Sequence, residues 1–387
     1  MPWKESSIVN ERMKFVLRLV DGEKMSDLCR EFGITRPTGY KIYKRFKESG
    51  PPGLYDCSKK PKKFGNAIDE LTVHRLMMLK DKYKTCGAPK IQEKYRQKYD
   101  DPPPAISTIH SYFVKAGLVK KRRKRSGYKA SGLNLTTPKL PNDLWCCDFK
   151  GQFKMKNKAY CYPLTITDQV SRSIFCIEAL ENTKTEPCLE VFKNVFKEYG
   201  LPDAIRSDNG VPFATKSLFG LSKLSIMWLK QGIKLERIEP GKPQQNGRHE
   251  RMHLSLKLAA TKPPGENILQ QQEIFDYFRR EFNEERPHEG LGMKVPSDVY
   301  RPSKKIFVEK KEVSYDNNID VRKVNEGVIK LNTRSVFIGR ALSDELIGLE
   351  EVDENILLVK FMDHDLGYID TIEYKFSQGE NPFLLKE

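Results

Sequence analysis

Hydrophobic and polar residues along the chain change their spacing three times, and each change predicts a different kind of structure. Near the start, Val9, Met13, Val16, Leu17 and Val20 recur at helical spacing, and Asp21-Gly22 ends that helix. Leu28, Cys29 and Phe32 then form a short apolar stripe. Gly33 allows a sharp turn, and Thr35 with Pro37 opens a further helix through Phe46. This is the spacing of a helix-turn-helix. After the break at Ser49-Gly50-Pro51-Pro52-Gly53 a second helical set is expected. One helix carries Leu71, Leu76, Met78 and Leu79, a second spans Ala88 to Tyr95, and a third is capped by Ser107 and ends at Gly117.

From about residue 140 the period shortens. LWCCDFKG, AYCYPLTITDQ and SRSIFCIEAL read as strands separated by turn residues, followed by a helix from Thr183 to Tyr199. The strand of DAIRSDNG, a helix over Leu218 to Leu229, a strand over Ile233 to Ile238 and helices over Arg248 to Thr261 and Gln271 to Phe282 complete an α/β layered region. Beyond about 305 only short β segments remain (IFVEKKEV, VIKLNTRSVFIG, NILLVKFMD, YIDTIEYKF), which predict a small all-β barrel or sandwich. The expected fold is therefore multidomain. All-α helix-turn-helix modules occupy 1–60 and 61–125, the second winged in character, with a basic linker at 126–139. An α/β core at 140–300 and a β-barrel-like domain at 301–387 follow.

Charge sharpens this division. The 387 residues carry a formal charge of +16, and residues 1–130 hold 31 Lys+Arg against 14 Asp+Glu. The last 87 residues are net acidic, so the excess positive charge belongs to the helical end, as in a module that binds a polyanion. The run Lys120, Lys121, Arg122, Arg123, Lys124 and Arg125 cannot pack in a core; it is solvated or lies against phosphate. No stretch is long and apolar enough for a membrane span, and the first residues lack the apolar core of a signal peptide. The eight cysteines form no C-x-x-C pair, which favours reduced thiols over a zinc site or a disulfide framework.

Three acids stand in unusual contexts. Asp148 interrupts the apolar run LWCCDF, where an unpaired charge would cost several kcal/mol. Asp208 follows the strand AIRS, and Glu250 opens a helix after the loop PGKPQQNGRH. Three converging carboxylates repel one another without cations, and all-oxygen ligation suits Mg²⁺ or Mn²⁺. A pair of such ions can activate a water or 3′-hydroxyl on one side of a phosphodiester and stabilise the leaving oxygen on the other. No nucleotide-binding loop or Ser/His/Asp order competes with that chemistry. Asp168 is the rival acid, expected to serve a strand end with Arg172 as its partner. Trp145, Asn283 and His288 are expected to be structural.

In order along the chain, W-C-C-D-F (145–149), S-D-N-G (207–210) and P-x-Q-N-G-R-x-E (243–250) resemble the three acidic motifs of DDE transposases and retroviral-type integrases. N-x-x-R-P-H-x-x-L-G (283–292) resembles the segment that closes the core in bacterial insertion-sequence transposases. The resemblance covers about residues 1–300. It implies an RNase H-like core that cuts element ends and joins them to target DNA, with Asp148, Asp208 and Glu250 holding two Mg²⁺ or Mn²⁺ ions. It also implies double-stranded DNA as partner, a homo-oligomeric synapse, no membrane or small-molecule substrate, and a place in the bacterial cytoplasm at the nucleoid.

Candidate DNA contacts are Arg36, Thr38, Lys41, Lys44 and Arg45 on the recognition helix, the six cations at 120–125, and Lys257, seven residues past Glu250. Gln245 and Asn246 belong to a loop that either grips target DNA or is a structural turn. His253 shares a helix face with Glu250, although a lone His is more often a packing residue. The sequence departs from the retroviral pattern in a longer Asp208–Glu250 interval, placed at 217–230, in the absence of a His-His-Cys-Cys zinc unit, and in the acidic C-terminal region. A non-catalytic or domesticated DNA-binding relative is the competing reading.

Overall fold

The computed structural model describes residues 7–56, 68–119, 135–215, 218–239, 242–309, 311 and 313–382. The chain divides into two compact units at Ile68/Asp69.

The first unit holds α1 (Ile8–Val20), α2 (Met25–Glu31) and α3 (Arg36–Ser49), followed by a short 3₁₀ turn at Pro51–Leu54. Ser7 caps α1 by accepting from the Asn10 N–H, and Asp21-Gly22 ends it as expected. Phe15, Val16, Leu28, Cys29 and Leu54 form its core. Gly33, at φ +62°, makes the turn between α2 and α3. Thr35 stands at the start of α3, but its hydroxyl pairs with that of Thr38 at 2.9 Å rather than capping a backbone N–H. Gly39 is where α3 meets α2 most closely. A Cβ there would sit 2.7 Å from Cys29 Sγ and 2.8 Å from Met25 Sδ.

The second unit opens with α4 (Glu70–Lys82), α5 (Ala88–Lys98) and α6 (Ile106–Lys115), packed around Leu76, Ile91, Tyr95, Ile109 and Phe113. Ala105, not Ser107, stands at the start of α6. Residues 68–119 hold no strand, so no wing is seen among the described residues.

The sheet that follows comprises β1 (Leu144–Phe149), β2 (Phe153–Lys154), β3 (Tyr160–Asp168), β4 (Ile174–Leu180), β5 (Ala204–Ser207) and β6 (Lys234–Arg237). Its main path runs β4-β3-β1-β5-β6, with β2 also on β3. β1, β3 and β4 are antiparallel neighbours, while β5 and β6 run parallel to β1. Alternation along the strands explains the layers. Trp145 and Cys147 pack with Leu164, Ile166 and Ile205 against α7 (Thr185–Tyr199) and α8 (Lys223–Lys230). Ile174, Ile177 and Ala179 pack on the other face against α9 (Gly247–Ala260) and α10 (Ile268–Arg280). The result is a three-layer α/β/α core with a mixed sheet. The helix expected from Leu218 is shorter than its apolar run, because Phe219 and Gly220 adopt positive φ; α8 starts only after Ser222, whose hydroxyl accepts from Ser225 N.

A buried ion pair joins the parallel strands. Arg206 of β5 and Glu236 of β6 are register partners, and the Arg206 guanidinium donates to the Glu236 carboxylate. Arg206 also donates to the carbonyls of Thr136 and Gln245, each at 3.0 Å. The backbone that enters the core and the loop before α9 are thus held by one side chain.

The C-terminal strands are β7 (Asp320–Lys323), β8 (Val328–Leu331), β9 (Arg334–Phe337), β10 (Leu346–Asp353), β11 (Ile356–Phe361), β12 (His364–Asp370) and β13 (Lys375–Gln378). They form a five-stranded sheet, β13-β12-β11-β10-β7, and a separate hairpin, β8-β9. The expected closed barrel is not formed among the described residues, because β7 and β13 remain edge strands of an open path. Ile329, Val336, Ile347, Val359 and Phe361 belong to the same buried cluster as Phe192, Leu224 and Trp228 of the α/β core. Lys230 of α8 pairs with Glu345 at 2.7 Å across that junction.

Gly39→Val should overpack the α2–α3 contact and destabilise the first unit by about 1–3 kcal/mol. Calorimetry should show one transition lowered and the other unmoved; a shift of both would mean that the two units unfold together.

Candidate active site

Asp148 and Asp208 are brought level by strand pairing alone. β1 and β5 pair as Leu144↔Ala204, Trp145↔Ile205 and Cys146↔Arg206, and extending that register carries Asp148 beside Asp208, just past the end of β5. Asp208 is held in the following turn, where its Oδ1 accepts from Gly210 N at 3.1 Å. A Cβ at 210 would lie 3.0 Å from Asp208 Oδ2, so glycine keeps the carboxylate clear. Glu250 lies exposed in the first turn of α9.

The three acids act on one another through charge. The Asp148 carboxyl is pushed up to about 7, first by burial and then by the charges of Asp208 and Glu250. Asp148, Glu250 and His253 each offer one ligand atom within 4.8 Å of the others.

His253 is buried beneath this cluster, not exposed beside Glu250, and its environment was not legible from a lone-histidine reading. Thr165, the β3 partner of Asp148, donates from Oγ1 to the Asp148 carbonyl at 2.9 Å. The same oxygen lies 2.8 Å from Nε2 of both His249 and His253. Thr167 Oγ1 lies 2.8 Å from His249 Nδ1. With the Thr165 proton committed to a carbonyl, its oxygen accepts, so both imidazoles carry their proton on Nε2. Thr167 then donates to His249 Nδ1. Burial holds both rings neutral, pulling His249 down to about 3 and His253 further still, with His249 adding to the effect on His253.

The consequence lies at the remaining nitrogen. His253 Nδ1 bears a lone pair and sits 3.9 Å from Asp148 Oδ2, with no proton to share. A lone pair and two carboxylates converge on one point, a donor set that fits a divalent cation. His249 and His253, four residues apart on one face of α9, were the available signal for this network.

The remaining candidates fall in varied surroundings. Asp168 does not pair with the Arg172 side chain. Its Oδ1 accepts from Asn142 N (2.8 Å), and its Oδ2 accepts from Val170 N (3.1 Å), Ser171 N (2.6 Å) and Ser171 Oγ (2.7 Å). It closes the β3–β4 turn. Asn283 bonds both backbone groups of Ile174, and Trp145 is fully buried. Gln245 is engaged with Glu239 through both ends of its amide, and Asn246 is buried. Lys257 is exposed on α9. On α3, Arg36, Thr38, Lys41 and Lys44 are exposed, with Lys44 3.8 Å from Glu48, whereas Arg45 is partly buried and donates to the Tyr55 carbonyl. Lys120, Lys121, Arg122, Arg123, Lys124 and Arg125 lie outside the described residues. The described cysteines are free, and no described helix is long and apolar enough to cross a membrane.

Comparison with known proteins places names on these parts. Two integrase core domain models match residues 138–243 and 231–296, and a homeodomain-like domain model matches residues 10–55. The insertion element IS407 uncharacterized 31.7 kDa protein of Burkholderia multivorans is 26% identical over 193 residues, covering 49% of this chain and 67% of that protein. The insertion element IS476 uncharacterized 39.2 kDa protein of Xanthomonas euvesicatoria is 25% identical over 226 residues, 58% of this chain and 62% of that one. The HTLV-2 integrase catalytic core domain, solved in complex with magnesium, aligns at 17% identity and a TM-score of 0.34 over 42% of this chain and 98% of its own. The chain thus carries a homeodomain-like domain followed by an integrase core domain, and it is similar to proteins of bacterial insertion elements.

Proposed function

We propose that this protein recognises the terminal inverted repeats of its element and catalyses Mg²⁺-dependent cleavage and strand transfer at the element ends. The gathering of ligand atoms from Asp148, Glu250 and His253 within 4.8 Å, with Asp208 level with Asp148 by the β1–β5 register, supports the reading. Two Mg²⁺ or Mn²⁺ ions bound there would activate the attacking water or 3′-hydroxyl and stabilise the leaving oxygen. Asp148, Asp208 and Glu250 hold those ions through oxygen, and His253 Nδ1 lies behind them on the Asp148–Glu250 side, 3.9 Å from Asp148 Oδ2. The Thr165 network keeps that nitrogen unprotonated and aimed. Lys257, exposed two turns along α9 from Glu250, contacts phosphate. Arg36, Thr38, Lys41 and Lys44 present the recognition helix of 1–60 to a major groove, with 61–125 as a second DNA-binding module and 140–300 as the catalytic domain. Gln245 and Asn246 shape the loop before Glu250 beside target DNA, and the cations at 120–125 follow phosphate between the modules. Both element ends must be handled together, so a homo-oligomeric synapse at the bacterial nucleoid is the working form.

The decisive test is strand transfer on a labelled duplex carrying the element's own end. Wild type should give joined products with Mg²⁺. Asp208→Asn should lower them by at least about two orders of magnitude, the loss expected when an electrostatic group of the transition state is removed, while binding to the end persists. Tight binding with no cutting by wild type would favour the non-catalytic relative instead.

Titration offers a second check. Without divalent ions, Asp148 binds its proton more tightly folded than unfolded, since its pKa rises from 3.8 to about 7. Stability should therefore fall as pH rises through that window and level off above it. Melting curves across the range should show this decline for wild type and its loss in Asp148→Asn. Mg²⁺ should restore more stability above pH 7 than below; an identical decline in both proteins would place its source elsewhere.

A further inference from the structure

A second cationic centre lies next to the acids, on the side of α9 that faces the turn after β3. Arg172 stands in that turn, Arg248 and Arg251 flank Glu250 on α9, Arg286 belongs to the segment that closes the core, and Lys90 comes from α5. Arg248 donates to the Gln169 carbonyl at 2.9 Å, which fixes the start of α9 against the turn. Arg286 is buried and donates to Thr85 Oγ1 at 3.1 Å. Both partners are neutral. Arg172, Arg251 and Lys90 have no ion-pair partner among the described residues, and Arg172 Nε is buried without any hydrogen-bond partner. His288, buried among them, also leaves Nε2 unpartnered.

These groups are close enough to oppose one another. Burial and then the Arg286 charge pull the Lys90 ammonium down to about 8, and Arg251 adds to the effect. Burial, Arg248 and Arg251 lower Arg172. Burial, then Lys90, Arg286 and Arg172, bring His288 to about 3. Glu289 and Glu281 lie within reach of Lys90, but neither closes an ion pair with it. Gathering five cations around so little negative charge costs stability unless an anion arrives. Gly290 shows that the arrangement is built into the backbone. The Arg172 guanidinium lies against it so closely that a Cβ would fall 2.1 Å from Nη2.

We propose that Lys90, Arg172, Arg251 and Arg286 form a binding site for a backbone phosphate of duplex DNA, immediately beside the catalytic acids. The inference rests on the transposase reading and deepens it. The N-x-x-R-P-H segment then does more than close the core, and α5 of the second helical module contributes directly to seating DNA at the active site.

The test is equilibrium binding of the full chain to a fluorescein-labelled duplex of the element's end, at salt from about 50 to about 300 mM. Lys90→Gln and Arg172→Gln should each flatten the salt dependence, by no more than the roughly 0.9 that one phosphate contributes, and weaken binding about fivefold near 0.15 M salt. Neither should lower the melting temperature of the DNA-free protein, because each removes a repelled charge. Gly290→Ala should weaken binding with net charge unchanged, by displacing Arg172. Wild-type affinity and slope in all three variants would overturn the proposal, as would losses that track a lowered melting temperature. Protection of wild type but not the variants by inorganic phosphate, with DNA affinity unchanged, would mark a free-anion site and overturn it too. Failure of wild type to bind the duplex at all would instead bring down the transposase reading.

Discussion

One hydroxyl group, that of Thr165, holds the surroundings of Asp148 in register. It donates to the β1 backbone at Asp148 and accepts from two imidazoles of α9, so a strand, its neighbour and a helix meet on a single oxygen. Both imidazole bonds are buried and the bond to Asp148 is partly so, and an unsatisfied partner in a buried place costs about 1–3 kcal/mol. The network therefore has few alternative arrangements, and the one it adopts determines which histidine nitrogen faces the acids. Without that tie, the first turn of α9 and the end of β1 would be positioned only by apolar packing, which is less directional.

Elsewhere the fold tolerates electrostatic cost where function asks for it. Arg206 and Glu236 are buried and satisfied, each reaching backbone groups as well as the other, so their charges stabilise the route of the chain. The acids and the neighbouring cations are different. Asp148 is held against two other carboxylates, and Arg172 and Lys90 against other cations. Both are arrangements that gain when a ligand of opposite sign enters. The free protein is thus organised around charges it does not neutralise itself.

Much of this was legible in the sequence because it rests on period and punctuation. Asp21-Gly22, Gly33 and the strands around Asp148 and Asp208 declare themselves through local chemistry, whereas the β1–β5 pairing that sets Asp148 level with Asp208 comes only from the structure. The Leu218 helix was overextended because an apolar run cannot reveal that Phe219 and Gly220 take positive φ. The spacing pairs Arg172 with Asp168, but the Asp168 oxygens are satisfied by backbone groups and by Ser171, the residue before Arg172. The Thr165–His249–His253 hub joins positions more than 80 residues apart. Spacing along one helix hints at the histidines but cannot name the strand residue they meet.

The C-terminal sheet shares its buried side chains with α7 and α8 instead of enclosing a core of its own. The α/β core and this sheet therefore do not unfold one at a time. A premature stop codon upstream of β10 would leave Phe192, Leu224 and Trp228 facing water, and the resulting chain would aggregate or be degraded although Asp148, Asp208 and Glu250 were still encoded. Such a lesion silences the protein through misfolding, while its reading frame continues to display all three acidic motifs.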